Sequence, residues 1–225
     1  MKLTNYLLFG TLLFLIGACN QAAQEDVEAD PLAGQTPFQA GMIQHTVADF
    51  DIWKEAYMAH DSVRSAYGMT EISLGRAMDN PNDVIILSRL EDVNRAKEFI
   101  ALPELKTAMD SAGVTSKPVF TFMNVIRSDS TDATTKDRMY VSHKVKDFDA
   151  WFAGYTKEGR TTRAGYGMVE RGMARGMDDP NMVYIVFAVT DMDKAKARIT
   201  SEELKTLMTD AGVEGPPSIT FYTLQ

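Results

Sequence analysis

The chain is short of the residues that carry most recognisable chemistry. Its 225 residues include one cysteine, Cys19, and three histidines. A lone cysteine excludes an intrachain disulfide and any site built on paired thiolates. No His/Cys/Glu cluster has zinc spacing, and there is no phosphate loop, dinucleotide fingerprint or nucleophile elbow. Positive charge is scarce as well: 23 Lys and Arg against 31 Asp and Glu give a formal net charge of −8, with no basic stripe of the kind that binds nucleic acid. The apolar run from Tyr6 to Ile16 is too short to cross a bilayer as a mature helix.

That short run follows Lys2 and leads into Ile16-Gly17-Ala18-Cys19. The order resembles a bacterial lipoprotein signal peptide, in which the lipobox cysteine is acylated and becomes the new N-terminus. The resemblance implies lipidation at Cys19, attachment to a membrane through that lipid, and a place in the bacterial cell envelope, on the periplasmic face or the outer surface. Residues 20–37 hold Glu25, Asp26, Glu28 and Asp30 with no basic residue and little to bury, which suits a disordered acidic tether.

What the remainder has is repetition. His45-Thr46-Val47-Ala48-Asp49-Phe50-Asp51-Ile52-Trp53 returns as His143-Lys144-Val145-Lys146-Asp147-Phe148-Asp149-Ala150-Trp151. Arg76-Ala77-Met78-Asp79-Asn80-Pro81-Asn82 returns as Arg175-Gly176-Met177-Asp178-Asp179-Pro180-Asn181, and Ala112-Gly113-Val114 as Ala211-Gly212-Val213. Two copies of one unit are present, 38–126 and 138–225, joined by a polar linker at 127–137. A unit of that size is marginal alone on surface-to-volume grounds, and a second copy packed against it relieves the problem.

Periodicity predicts the order within a unit. A strand over Met42 to Val47 precedes a helix capped by Asp49, with the stripe Phe50, Trp53, Tyr57 and a stop at Gly68. Met69 to Met78 and Val84 to Leu90 read as strands joined by the turn Asp79-Asn80-Pro81-Asn82. A second helical region over Ala96 to Ala112 breaks near Pro103, and Val119 to Val125 is the last strand. At the matching break in the second unit, Thr200 with Glu203 suggests a capping box. The order β-α-β-β-α-β is the ferredoxin-like plan, an α+β sheet with helices on one face only. The other face needs a partner, which the same chain supplies.

The pattern His-x-Val-x-Asp-Phe-Asp-x-Trp-x-x-x-Tyr, then Arg-x-Met-Asp-(Asn/Asp)-Pro-Asn, then Glu-Leu-Lys-x-x-Met-x-x-Ala-Gly-Val resembles the dimeric α/β-barrel superfamily, closest to its antibiotic-biosynthesis-monooxygenase-like branch. The resemblance spans about Phe38 to Leu224. It implies two fused ferredoxin-like units forming a pseudo-dimeric barrel within one chain, where most members pair two chains. Members include cofactor-independent oxygenases, isomerases and haem enzymes, and their ligand cavity commonly lies between sheet and helices. The haem-binding branches use a helix histidine, which neither unit offers in a matched position, so no cofactor is expected.

His45 and His143 lie in the first strands on otherwise apolar faces. Each is a candidate general base or ligand donor, or else a core histidine satisfied by a neighbouring backbone group or tyrosine. Trp53, Tyr57, Trp151 and Tyr155 form the helix stripe facing them, as core and as candidate pocket lining. Arg76 and Arg175 stand in phase with large apolar groups, so each either reaches solvent at the strand end beside Asp79 or Asp178 or meets an anionic ligand. Arg64 and Arg163 fall near a helix end, where positive charge is expected anyway. Met173 and Met177 share a strand face while Met168 falls on the other, which favours soft core packing over a copper site, and no metal site is expected. The sequence thus leads to a membrane-anchored barrel that binds a small apolar or aromatic molecule. Its alternatives are a cofactor-independent monooxygenase or isomerase using His45 or His143, and a non-catalytic interaction module.

Overall fold

The computed structural model describes Leu32 and residues 35–225, so Cys19 and the signal segment lie outside the described residues. The first unit runs β1 (Phe38–Thr46), α1 (Phe50–Ala59), α2 (Asp61–Ala66), β2 (Met69–Ala77), β3 (Asp83–Leu90), α3 (Val93–Ile100), α4 (Pro103–Ser111) and β4 (Val119–Ser128). The second repeats it: β5 (Asp137–Val145), α5 (Phe148–Glu158), α6 (Arg160–Gly165), β6 (Met168–Gly176), β7 (Met182–Val189), α7 (Met192–Ile199), α8 (Glu202–Asp210) and β8 (Val213–Leu224).

Local chemistry sets these boundaries. Asp49 and Asp147 cap α1 and α5, their carboxylates accepting from the backbone N–H of Ile52 at 3.0 Å and Ala150 at 2.8 Å. Pro103, which has no N–H to leave unpaired, starts α4. In the second unit the cap at that point is Ser201, whose hydroxyl accepts from Leu204 N–H at 3.2 Å. Thr200 instead ends α7, and Glu203 turns back to pair with Arg198 at 3.1 Å, so the expected Thr200–Glu203 box does not form. Gly167 enters β6 with φ of 74°, and a Cβ there would stand 2.6 Å from the Asp191 carbonyl oxygen. Only glycine meets both constraints.

The eight antiparallel strands close into one barrel in the order β1-β3-β2-β8-β5-β7-β6-β4. Helices cover the outside. The two sheets turn their bare faces toward a shared interior, where Ala40, Met42, Ile85 and Met123 of the first unit meet Tyr140, Ala174 and Tyr222 of the second. Their edges join at two seams. One pairs β4 with β6 from Met123↔Gly176 to Ser128↔Gly172; the other, shorter, pairs β2 with β8 from Gly75↔Leu224 to Ala77↔Tyr222. Full closure leaves no sheet edge bare to template aggregation.

Bulges correct the strict period of two. In β6 the register shifts between Glu170 and Gly172, and β2 carries the matching shift between Glu71 and Ser73. The extra residue reverses the phase, so Met168 and Met173 both enter the helix-side core instead of facing opposite ways. Gln35, at the end of the stretch read as a tether, holds both backbone groups of Ser128 at 2.8 Å.

Candidate functional site

Strand phase places His45 and His143 on the helix-covered face, and α1 and α5 lay their aromatic stripes over them. The result is the same stack twice. The His45 ring meets Trp53 edge-on at 5.4 Å, Trp53 stacks on Tyr57 at 5.0 Å, and the Arg64 guanidinium lies 3.6 Å over Tyr57. In the second unit, His143, Trp151, Tyr155 and Arg163 repeat it at 5.4, 5.1 and 3.7 Å.

Both histidines are buried, and among the described residues neither ring nitrogen of either has a hydrogen-bond partner. The alternative of a core histidine held by a backbone group or tyrosine is therefore not what the structure contains. Burial pushes each imidazole down to about 4, so both are neutral near pH 7. A neutral imidazole carries one donor and one acceptor nitrogen. Here neither is occupied.

The units differ in the space beside that imidazole. The second holds a cavity of about 330 Å³ between sheet and helices, lined by His143, Trp151, Tyr155 and mostly apolar groups from β5, β7, α5, α8 and β8. The matching space beside His45 in the first unit is about 70 Å³. Of the aligned positions that line both spaces and differ, three lose volume, as Ile43, Ala56 and Phe120 of the first unit become Val141, Gly154 and Ile219 in the second, while Ala108 becomes the larger Leu207. Leu207 is 41% exposed, and Phe120→Ile219 is the largest of the three losses. A duplicated core has been opened in one copy and left packed in the other.

The polar end of the larger cavity is built from charges that pair among themselves. Arg163, at its border, reaches Glu158 at 3.1 Å and Glu170 at 3.5 Å, and Arg198 reaches Glu158 at 3.0 Å. Glu170, whose side chain is wholly buried, also pairs with Arg127 at 3.2 Å and accepts a hydrogen bond from the Tyr155 hydroxyl at 2.7 Å. The counterpart of Glu170, Glu71, is exposed. Arg127 comes from β4 across the longer seam. One polar end is sealed; the other stays open.

Arg76 and Arg175 are not part of either cavity. Their Nε atoms donate to the carbonyls of Pro81 and Pro180 in the strand turn, and their guanidinium groups stack on Phe50 at 4.0 Å and Phe148 at 3.9 Å. Sequence reasoning assigned Arg64 and Arg163 to helix ends and passed over Glu170 and Arg198. Their signal was weak: Arg64 and Arg163 recur in both copies, but Glu170 is buried only through the bulge and the seam. Among the described residues no group of three His, Cys, Asp or Glu side chains is placed to hold a metal, and no helix is long and apolar enough to cross a membrane.

No protein-family model matches the chain, and no curated protein matches it in sequence. Solved structures do match in shape. A proposed monooxygenase from Lactobacillus acidophilus NCFM is 19% identical with a TM-score of 0.52, covering 84% of this chain and 94% of its own. The fold is the dimeric α/β barrel. An anthrone oxidase-like protein gives a TM-score of 0.55 at 12% identity over 84% and 91% of the two chains. A heme-binding protein from Thermus thermophilus gives 0.52 at 10% over 84% and 92%. At these identities the likeness extends to the pseudo-dimeric barrel, here completed by one chain.

Proposed function

We propose that the protein binds a small, largely apolar or aromatic molecule in the helix-side cavity of its second unit, and that it does so anchored to a membrane of the bacterial cell envelope through lipidated Cys19. One observation carries the binding reading: an apolar cavity of about 330 Å³ holds a buried imidazole with both nitrogens unpartnered. A buried polar group left without a partner costs about 1–3 kcal/mol. A ligand hydroxyl or carbonyl meeting His143 removes that cost and fixes the ligand's orientation, while Trp151 and Tyr155 supply apolar contact. Thermal stabilisation of the full chain by a panel of small aromatic alcohols and ketones tests it. A panel that produces no shift in melting temperature speaks against the reading.

Neutral His143 also favours a second reading, cofactor-independent oxygenation. It would accept the hydroxyl proton of a bound quinol-type substrate, and dioxygen would serve as the oxidant. Oxygen consumption on mixing the protein with a quinol separates enzyme from binder. Haem, which the Thermus protein binds, does not fit these residues. Its propionates call for available cations, whereas Arg163 is already committed to Glu158 and Glu170. His60, in the turn between α1 and α2, borders the small cavity of the first unit instead.

The anchor reading rests on the order of Lys2, the apolar run, Cys19 and the acidic stretch after it. Cys19→Ala should leave a larger, unprocessed precursor that takes up no fatty-acid label. Unchanged labelling of this variant would refute lipidation at Cys19.

A further inference from the structure

The barrel interior contains another cavity, of about 340 Å³, on the opposite side of the sheet from the helices and sharing no lining residue with the one beside His143. Its walls show how the two copies diverged. Interior positions held by Ala40, Met42, Ile85 and Met123 in the first unit are Arg138, Tyr140, Tyr184 and Tyr222 in the second. Closing the barrel does not need these polar groups, since the first unit packs the same positions with apolar side chains.

The four replacements form one polar pole. Arg138 and Tyr222 are direct partners in the β5–β8 ladder, and Tyr140 and Tyr184 lie parallel with ring centroids 6.2 Å apart. Arg138 is 9% exposed and Tyr222 3%. Among the described residues Arg138 makes no ion pair; its Nη1 donates to the carbonyls of Thr135 at 2.6 Å and Asp137 at 3.0 Å. The Tyr222 hydroxyl has no hydrogen bond to a described residue, and burial raises the Tyr140 and Tyr222 hydroxyls above the usual phenol range, so both are proton donors at neutral pH. In the first unit the arginine across from Ala40, Arg89, is exposed and stacked on Phe38 at 3.5 Å. A buried guanidinium with no carboxylate in ion-pair contact is costly; among the described residues the Asp137 carboxylate acts on Arg138 only from beyond ion-pair distance, and the Arg171 cation opposes it.

We infer that the barrel interior is a second binding site, for a small aromatic or apolar monocarboxylate. Arg138 and the Tyr222 hydroxyl hold the carboxylate, and Met42, Leu87 and Val186 receive the apolar body. Entry is beside the short seam. Pairing of β2 with β8 stops at Gly75, and Ile72 and Ser73 at the β2 bulge border the cavity, with Ile72 46% exposed.

Calorimetric titration of the full chain with 2-naphthoate and with 2-naphthylmethanol tests this inference. The carboxylate should bind at least about tenfold tighter than the alcohol, as expected for a charge-assisted contact. Arg138→Ala and Tyr222→Met, which install the first unit's residues, should each weaken naphthoate several-fold or more while leaving the alcohol unchanged, and His143→Phe should leave naphthoate binding intact. Naphthoate that fails to bind at millimolar concentration, that binds Tyr222→Met like the parent, or that is lost in His143→Phe overturns the inference. Should Arg138→Ala fail to fold, Tyr222→Met and the charge-retaining Arg138→Lys decide it: the lysine variant must bind better than its alcohol control.

Discussion

At the scale of single residues, the two buried imidazoles and the buried carboxylate make different predictions. Burial lowers His45 and His143 from 6.5 to about 4. As pH falls the unfolded chain protonates first, so stability that is fully present above about 6.5 is lost progressively toward pH 4, by about 3 kcal/mol per histidine. His143→Phe should remove roughly half of this acid sensitivity, visible as a flatter dependence of melting temperature on pH between those values. A slope unchanged by the substitution would mean that the imidazole is not held neutral by burial. Glu170→Gln should cost about 3–5 kcal/mol in chemical denaturation, since Arg127 and Arg163 would lose a buried counter-charge. Exposed Glu71, changed in the same way, should cost almost nothing.

At the scale of elements, the histidine strands and aromatic stripes were legible because their periods are intact: residues at i and i+2 of β1 and at i, i+3 and i+7 of α1 end on one face. The histidine environment was less legible. Whether a buried imidazole finds a partner depends on side chains brought from α4 and β4, or from α8 and β8, which a single-strand pattern does not contain. Arg76 and Arg175 share the phase of large apolar groups, and each is drawn to the turn by a proline carbonyl five residues on. Glu170 was hidden because a bulge resets the strand phase and a residue from the other unit covers it. The same comparison of elements predicts how the cavity can be closed. Gly154 stands inside α5, and a Cβ there would meet nothing within 4 Å. Gly154→Ala should therefore raise stability by about 0.5–1 kcal/mol through helix propensity while narrowing the cavity. Loss of stability would show that the space is smaller than described.

At the scale of the whole molecule, duplication solves a burial problem and releases one copy from it. Each unit alone would expose Ala40, Met42, Ile85 and Met123, or their counterparts, together with the bare edges of its two seam strands. The fragment Phe38 to Val125, expressed by itself, should aggregate or pair with a second copy, and a stable monomer in analytical ultracentrifugation would count against the barrel as the stabilising unit. With the first unit's helix side packed tight, the second can leave a cavity beside His143 without losing the fold. The most direct measurement of that claim is the affinity of the full chain for 2-naphthol, an apolar body with one hydroxyl, compared across three variants. The account predicts binding to the parent, a loss of about tenfold or more in both His143→Phe and the cavity-filling Ile219→Phe, and no change in His45→Phe. Equal affinity in the parent and in Ile219→Phe, or no binding to the parent at millimolar concentration, would contradict it.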